Sequence, residues 1–265
     1  YHLAAVAICE RQSCVSQIIR LTFALIARMA IGQAAVGWFP GLQDPTGDCT
    51  WPPAVVLMAH LSQSRTKALL HNKSVLELGA GNGSLAKFLA LNSQPRKLLA
   101  TDLPHRLKDL RNALHGIAAA DAAALGWGDV DAVKMICKEH FGTPYAEVVI
   151  ISDCLYTNWV EDSVAPLALT LNAALGADAD RAARQKQVGP EVNNVAFLAY
   201  LPRCKPLEAH FFDCLKNQGL QSMPLRLPES YVLKSFEDAR DFGEDELLAV
   251  RLCEISAGFL SARKA

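Results

Sequence analysis

The chain has 265 residues, of which 51% are hydrophobic and 20% charged, so it carries ample apolar material for a buried core and is not a disordered chain. Lysine plus arginine number 26 and aspartate plus glutamate 27, a formal net charge of -1. No global basic field exists to hold a nucleic acid by counterion release, and we expect no nucleic-acid partner.

The chain starts at Tyr1, and we expect it to be a fragment or a processed form. From Cys14 to Val36 it is apolar, but Arg20 and Arg28 interrupt the run before it reaches the ~18 uncharged residues a spanning helix needs. The first 36 residues hold three arginines and one acid, Glu10, a faint organelle-transit composition. Residues 1–46 are therefore read as an appendage, either a helical extension or a transit-like segment, and 47–265 as one domain. Gly37 to Pro53 is a turn-rich linker with four prolines and three glycines, which marks the start of the compact part.

Beyond the linker, apolar runs alternate with helical patterns. The spacing predicts a helix over Ala54–Leu70, a strand over Lys73–Leu78, a glycine loop, and a helix over Ser84–Leu91. A second strand follows at Lys97–Thr101, then a helix over Pro104–Gly116 with proline in its first turn. A short alanine-rich segment before Trp127 is a candidate third strand. Glu147–Ser152 is a strand, Val160–Leu175 a helix, Val195–Leu201 a strand and Pro206–Gln218 a helix. Strands apolar throughout belong to a parallel sheet buried on both faces, and this alternation predicts a doubly wound α/β fold. Gly219–Leu227 and Leu247–Ile255 resemble two strands with no helix between them and are expected to pair antiparallel at one sheet edge. Asp178–Asn194 and the acidic Pro228–Glu246 are read as solvated loops.

The sharpest local signal is Glu77-Leu78-Gly79-Ala80-Gly81-Asn82-Gly83, after a strand and before a helix. Glycines there let the backbone turn tightly and approach a ligand without a Cβ in the way, although a plain strand-to-helix turn would use them too. A dinucleotide site wants G-x-G-x-x-G with a pyrophosphate on the helix N-terminus. Here Ser84 stands at the third glycine position, and Glu77 at the strand end would repel a pyrophosphate. That carboxylate suits a ligand with an ammonium group and no phosphate, as in S-adenosylmethionine.

Asp102 closes the second strand, where a carboxylate can accept both ribose hydroxyls or cap the following helix. Trp127, between Gly126 and Gly128, can pack on an adenine face or simply fill the core. Ser152-Asp153-Cys154-Leu155-Tyr156 ends the fourth strand, which in such a sheet adjoins the first and faces the same crevice. An acid and a phenol three residues apart can share one pocket and orient an amine.

These pieces, in this order, resemble the seven-stranded, S-adenosylmethionine-dependent protein methyltransferases of the lysine methyltransferase group often called family 16. Trp51 with Pro52 and Pro53 is similar to the family's tryptophan ahead of the first strand, and Glu77 to Gly83 to its cofactor loop. Thr101-Asp102-Leu103-Pro104 is similar to its post-loop acidic element and Trp127-Gly128 to its adenine-side W-G. Ser152 to Tyr156 is similar to its D-x-x-Y motif, and Ala199 to Phe212 to the segment after strand five. The resemblance covers roughly Gly47 to Ile255. It implies a class I, Rossmann-like methyltransferase fold with S-adenosyl-L-methionine as cofactor. It further implies that Trp51, the Gly79-Ala80-Gly81 backbone, Asp102, Trp127 and Ser152 contact the cofactor. Asp153 and Tyr156 would line the methyl-transfer site, with a protein lysine as substrate. Asn82, where threonine or serine is commoner, and the long 178–194 insertion depart from the pattern.

Two other enzyme classes share parts of this reading: a small-molecule methyltransferase on the same fold, and an NAD(P)-dependent oxidoreductase, against which Glu77 argues. A non-catalytic binding protein would keep the fold without the acids. No phosphate loop, zinc motif or nucleophile elbow is present. The seven histidines are scattered without metal-ligand spacing and are expected at the surface or at caps. The eight cysteines form no C-x-x-C pair and are expected to be reduced thiols in a cytoplasmic protein, organelle targeting by residues 1–46 aside. The protein is expected to be a monomer without a bound metal.

Overall fold

The protein is described from a computed structural model, which defines residues 49–155, 163–177, 194–226 and 244–257. The expectations for residues 1–46, for the 178–194 insertion and for Tyr156 lie almost wholly outside these residues. Seven strands form one sheet: β1 Ser74–Leu78, β2 Lys97–Asp102, β3 Ala120–Ala124, β4 Val148–Ser152, β5 Val195–Tyr200, β6 Leu220–Leu225 and β7 Arg251–Ala257. Their order is β3-β2-β1-β4-β5-β7-β6. The first five run parallel, and β7 lies antiparallel to both β5 and β6. The doubly wound sheet and its antiparallel edge hairpin are as the sequence predicts. β6 is the edge strand, which is why Pro224 is tolerated within it.

Helices cover both faces. On one lie α1 Pro52–Ser62, α3 Ser84–Asn92 and α4 Leu107–Leu114, with the short α2 Ser64–Leu70 following α1. On the other lie α5 Val130–Phe141, α6 Val164–Ala174 and α7 Lys205–Asn217; α8 Glu244–Ala249 leads into β7. The two-residue period of the strands divides the core. Leu76 and Leu78, Val149 and Ile151, and Ala196 and Leu198 join one apolar cluster with Val133, Leu167 and Phe211. Val75, Val148, Ile150 and Phe197 join the other with Leu57, Leu61, Leu85 and Leu89. Glu77 shares its strand face with Val75, so its carboxylate is directed into the second layer rather than to solvent.

Three elements differ from expectation. The predicted Ala54–Leu70 helix breaks at Gln63, whose φ of -63° and ψ of 140° are extended. The Thr66 hydroxyl lies within hydrogen-bonding reach of the carbonyl oxygens of His60 and Gln63 and braces the break, while the Gln63 carbonyl also accepts the Lys67 N–H at 2.7 Å. Helix α5 was absent from the expected elements, although its signals stand in the sequence. The Asp129 carboxylate accepts the Ala132 N–H at 3.0 Å as N-cap, and Gly142 ends the helix at a φ of 80°. Leu247 to Ala249, expected as strand, belong to α8; glutamate, leucine and alanine are strong helix formers, and the strand begins only at Arg251.

Candidate functional site

Strand order reverses between β1 and β4, so the carboxyl ends of these neighbours open a crevice at the topological switch point. A cavity of about 610 Å³ occupies it. Trp51, Glu77, Gly79, Ala80, Gly81, Asp102, Trp127, Ser152 and Asp153 all line it, so every described residue singled out from the sequence meets in one place.

The glycine loop forms the cavity's floor. Gly79, Gly81 and Gly83 have φ of 70°, 55° and 77°, a region that favours glycine. A Cβ on Gly79 would lie 2.7 Å from Cys154 Sγ and 3.2 Å from the Trp127 ring, so the backbone there is held close to both. The Ala80 N–H donates to the Thr101 carbonyl at 3.0 Å, which ties the loop to β2. The Asn82 side-chain oxygen accepts the Ser84 N–H at 3.1 Å, and its amide donates to Thr50 Oγ1 at 3.3 Å. Asn82 thus makes the turn into α3, which a threonine hydroxyl would otherwise do.

Asp102 accepts the Gly81 N–H at 2.7 Å and the Leu103 N–H at 2.7 Å, one on each oxygen. It does not cap the next helix, a short 3₁₀ turn at Pro104–Arg106 preceded by Leu103. Its carboxylate is held rigidly at the mouth of β2, with acceptor lone pairs remaining on each oxygen. Glu77 is 1% exposed, and its Oε2 has no hydrogen-bond partner. Burial, aided by the nearby Asp102 charge, pushes its carboxyl up to about 8, while the Ala86 backbone N–H pulls the other way. A buried, unpartnered carboxylate oxygen facing a cavity is costly by itself, and a cationic donor from a ligand would satisfy it.

On the β4 side, the Asp153 backbone sits at a φ of 54°, and its N–H donates to the Ala199 carbonyl at 2.8 Å. Arg203, from the loop after β5, donates to Asp153 Oδ1 and Oδ2 at 2.7 Å each. The Arg203 guanidinium also lies 5.8 Å from the centre of the Trp51 ring. Arg203 carried no role in the sequence reading. The signal was available: it follows the carboxyl end of the strand beside β4, the same edge that singled out Asp153. Cys154 is buried, its thiol pushed well above its ordinary range by burial and by the surrounding acids, and it contacts the Leu78 and Ser152 carbonyls at 3.4 Å each. It packs; it is not set up as a nucleophile.

Comparison with known proteins decides the family. A lysine methyltransferase family model matches residues 41–200, more than half of the chain. The chain belongs to the lysine methyltransferase family. Its members are S-adenosylmethionine-dependent methyltransferases, and the site just described offers an unpartnered carboxylate oxygen, a second carboxylate held by two backbone N–H groups, and a glycine-rich loop. Tabersonine 16-O-methyltransferase of Catharanthus roseus is 26% identical over 119 residues, 38% of this chain and 34% of that protein. The chain thus spans about a third of the length of that curated relative. Among solved structures, the ribosomal protein L11 methylase of Lactobacillus delbrueckii subsp. bulgaricus is 13% identical, with a TM-score of 0.42 over 77% of this chain and 79% of that one. The fibrillarin pre-rRNA processing protein of Methanococcus jannaschii is 10% identical, with a TM-score of 0.47 over 81% and 76%.

Among the described residues, no helix is long and apolar enough to cross a membrane, and no group of three or more His, Cys, Asp or Glu residues is placed to hold a metal. The six described cysteines are all free thiols. His60 corrects the reading of the histidines as surface or cap residues: it is buried at 7% exposure, on the sheet-facing side of α1, with its ring 5.5 Å from that of Phe197. Its helix position faces an apolar strand, and the imidazole fills the space an aromatic residue would.

Proposed function

We propose that this protein transfers a methyl group from S-adenosylmethionine to the side-chain amine of a lysine in a protein substrate. Its membership of the lysine methyltransferase family supports the substrate class. The observation that carries the cofactor reading is the unpartnered Oε2 of buried Glu77, at the end of a glycine-floored cavity.

When bound, S-adenosylmethionine supplies a methyl carbon already activated by positive sulfur, so the protein need only align the reactants. In this reading Glu77 receives the α-ammonium, and Asp102 accepts the ribose hydroxyls on its remaining lone pairs. The Gly79-Ala80-Gly81 backbone allows close approach, Trp127 packs the adenine side, and Trp51 and Ser152 complete the wall. A free lysine amine holds its proton to a pKa of about 10.4. A closed pocket beside a sulfonium favours the neutral form. Asp153 and Tyr156 then orient that amine, whose proton leaves to water, and the Tyr156 ring can hold a partly methylated ammonium by cation–π attraction. Residues 47–265 form the catalytic unit and residues 1–46 an appendage to it.

Incubation of the protein with methyl-labelled S-adenosylmethionine and a cell lysate tests the proposal. Label in protein, recovered as methyl-lysine on hydrolysis, is expected. Label confined to the small-molecule fraction would instead support the small-molecule class to which the tabersonine enzyme belongs by its name. Asp153→Ala and Tyr156→Phe should each lower turnover by at least tenfold while calorimetric affinity for S-adenosylhomocysteine changes little. Full turnover in both variants would remove these residues from the mechanism.

A further inference from the structure

Asp153 occupies a backbone conformation that side-chain-bearing residues seldom adopt, at a φ of 54°. Three contacts hold it there. Its N–H donates to the Ala199 carbonyl, its Oδ1 lies 3.4 Å from the Leu201 N–H, and the Arg203 fork spans both of its oxygens at 2.7 Å each. A bidentate guanidinium fixes the plane of a carboxylate as well as its position, which a single hydrogen bond does not. Arg203 is in turn placed over Trp51, the residue that opens α1. The end of β4, the loop after β5 and the start of α1 therefore meet at one ion pair in the cavity wall, with the Asp153 side chain 7% exposed.

We infer that Arg203 is a positioning residue for methyl transfer, acting through Asp153 rather than on the cofactor. Each carboxylate oxygen has about two acceptor sites. Arg203 takes one on each oxygen and the Leu201 N–H takes the other on Oδ1. One site remains, on Oδ2. Asp153 therefore presents a single directed acceptor, enough to aim one N–H of an incoming amine and thereby to aim its lone pair. Without the fork the carboxylate would rotate, and Asp153 would still be present but undirected.

The inference rests on the proposed methyl transfer, and the experiment separates the two. Wild type, Arg203→Met, Arg203→Lys, Asp153→Asn and the Arg203→Met/Asp153→Asn double variant are compared in lysate labelling under saturating cofactor, alongside calorimetry with S-adenosylhomocysteine and thermal melts. We expect Arg203→Met to lose at least thirtyfold in turnover while its affinity for S-adenosylhomocysteine stays within threefold of wild type. Arg203→Lys, which restores the charge but not the fork, should recover only part of the loss. The double variant should be no slower than the slower single variant, because both changes remove the same directed acceptor. A labelling-competent wild type with an Arg203→Met variant equally active would overturn the inference. So would losses that multiply in the double variant, or a fall in cofactor affinity as large as the fall in turnover. A wild type that binds S-adenosylhomocysteine but labels nothing would instead overturn the proposed function.

Discussion

In the proposed cofactor site, Glu77 would trade stability for binding. Desolvation first, and repulsion from Asp102 second, raise its folded pKa from 4.5 to about 8. A carboxyl raised on folding contributes its full stability below pH 4.5, where it is protonated in both states. That contribution drains away as pH rises through about 8. Glu77→Gln should therefore melt higher than wild type in the absence of ligand, by about 2 °C or more at pH 8, and the gap should shrink toward pH 5. The same substitution removes the charged acceptor and should weaken S-adenosylhomocysteine binding by about 10- to 100-fold. In wild type, an ammonium bound at Glu77 must displace its proton. Calorimetry at pH 7 in buffers of different ionisation enthalpy should record about one proton released per cofactor bound. A melting curve for Glu77→Gln that tracks wild type at every pH would remove Glu77 from both arguments.

At the level of elements, helix α1 carries the least resolved conflict between packing and polarity. His60 faces β5 with both ring nitrogens lacking a hydrogen-bond partner, and burial lowers its pKa to about 4. A histidine whose folded pKa is depressed stabilises the fold fully above its ordinary 6.5 and loses that contribution as pH falls toward 4. His60→Phe keeps the ring against Phe197 and removes two orphaned nitrogens. It should raise the melting temperature by about 2–4 °C at neutral pH and by more at pH 5. Equal melting shifts at both pH values would show that burial does not lower the His60 pKa on folding. The same helix starts at Trp51, so its seating on the sheet and the position of the cavity wall are one problem of packing.

Across the whole molecule, the two edges of the sheet treat acids in opposite ways. At the amino-terminal edge, Glu147 accepts from Lys73 at 2.8 Å, from the Ser74 N–H at 2.9 Å and from Arg96 at 3.0 Å. Its partial burial pushes the carboxyl up, but these donors outweigh it and leave the pKa below the usual value. That acid is satisfied within the protein and serves the fold. At the carboxyl edge, one oxygen of Glu77 has no partner, and Asp102 and Asp153 are held with at least one acceptor site left on each. A ligand binding only the folded state should then stabilise the entire domain. S-adenosylhomocysteine at 100 times its Kd should add about 2.7 kcal/mol and raise the melting temperature by several degrees, with NAD and NADP producing no shift. A shift with NAD alone would reverse the cofactor assignment. The net charge of -1 fits this arrangement: the useful charges are a few carboxylates at strand ends rather than a field over the surface.

Much of this was legible in the chain itself, for a local reason. A strand buried on both faces must be apolar throughout, and a backbone turning under a ligand must use glycine, so β1, β4, β5 and the Gly79–Gly83 loop are written in consecutive residues. The order of acids after strands then places Glu77, Asp102 and Asp153 at one edge once the sheet is parallel. Even α5 was written locally, in the Asp129 cap and the Gly142 stop. What the tertiary structure decided was which of these groups find partners. Glu77 keeps one oxygen without a partner although its strand face turns it under α3, Asp153 is gripped because β5 brings Arg203 back from 50 residues away, and His60 is buried because α1 lies against β5. Pairing across the sheet depends on long-range register, and no pattern of neighbouring residues encodes it.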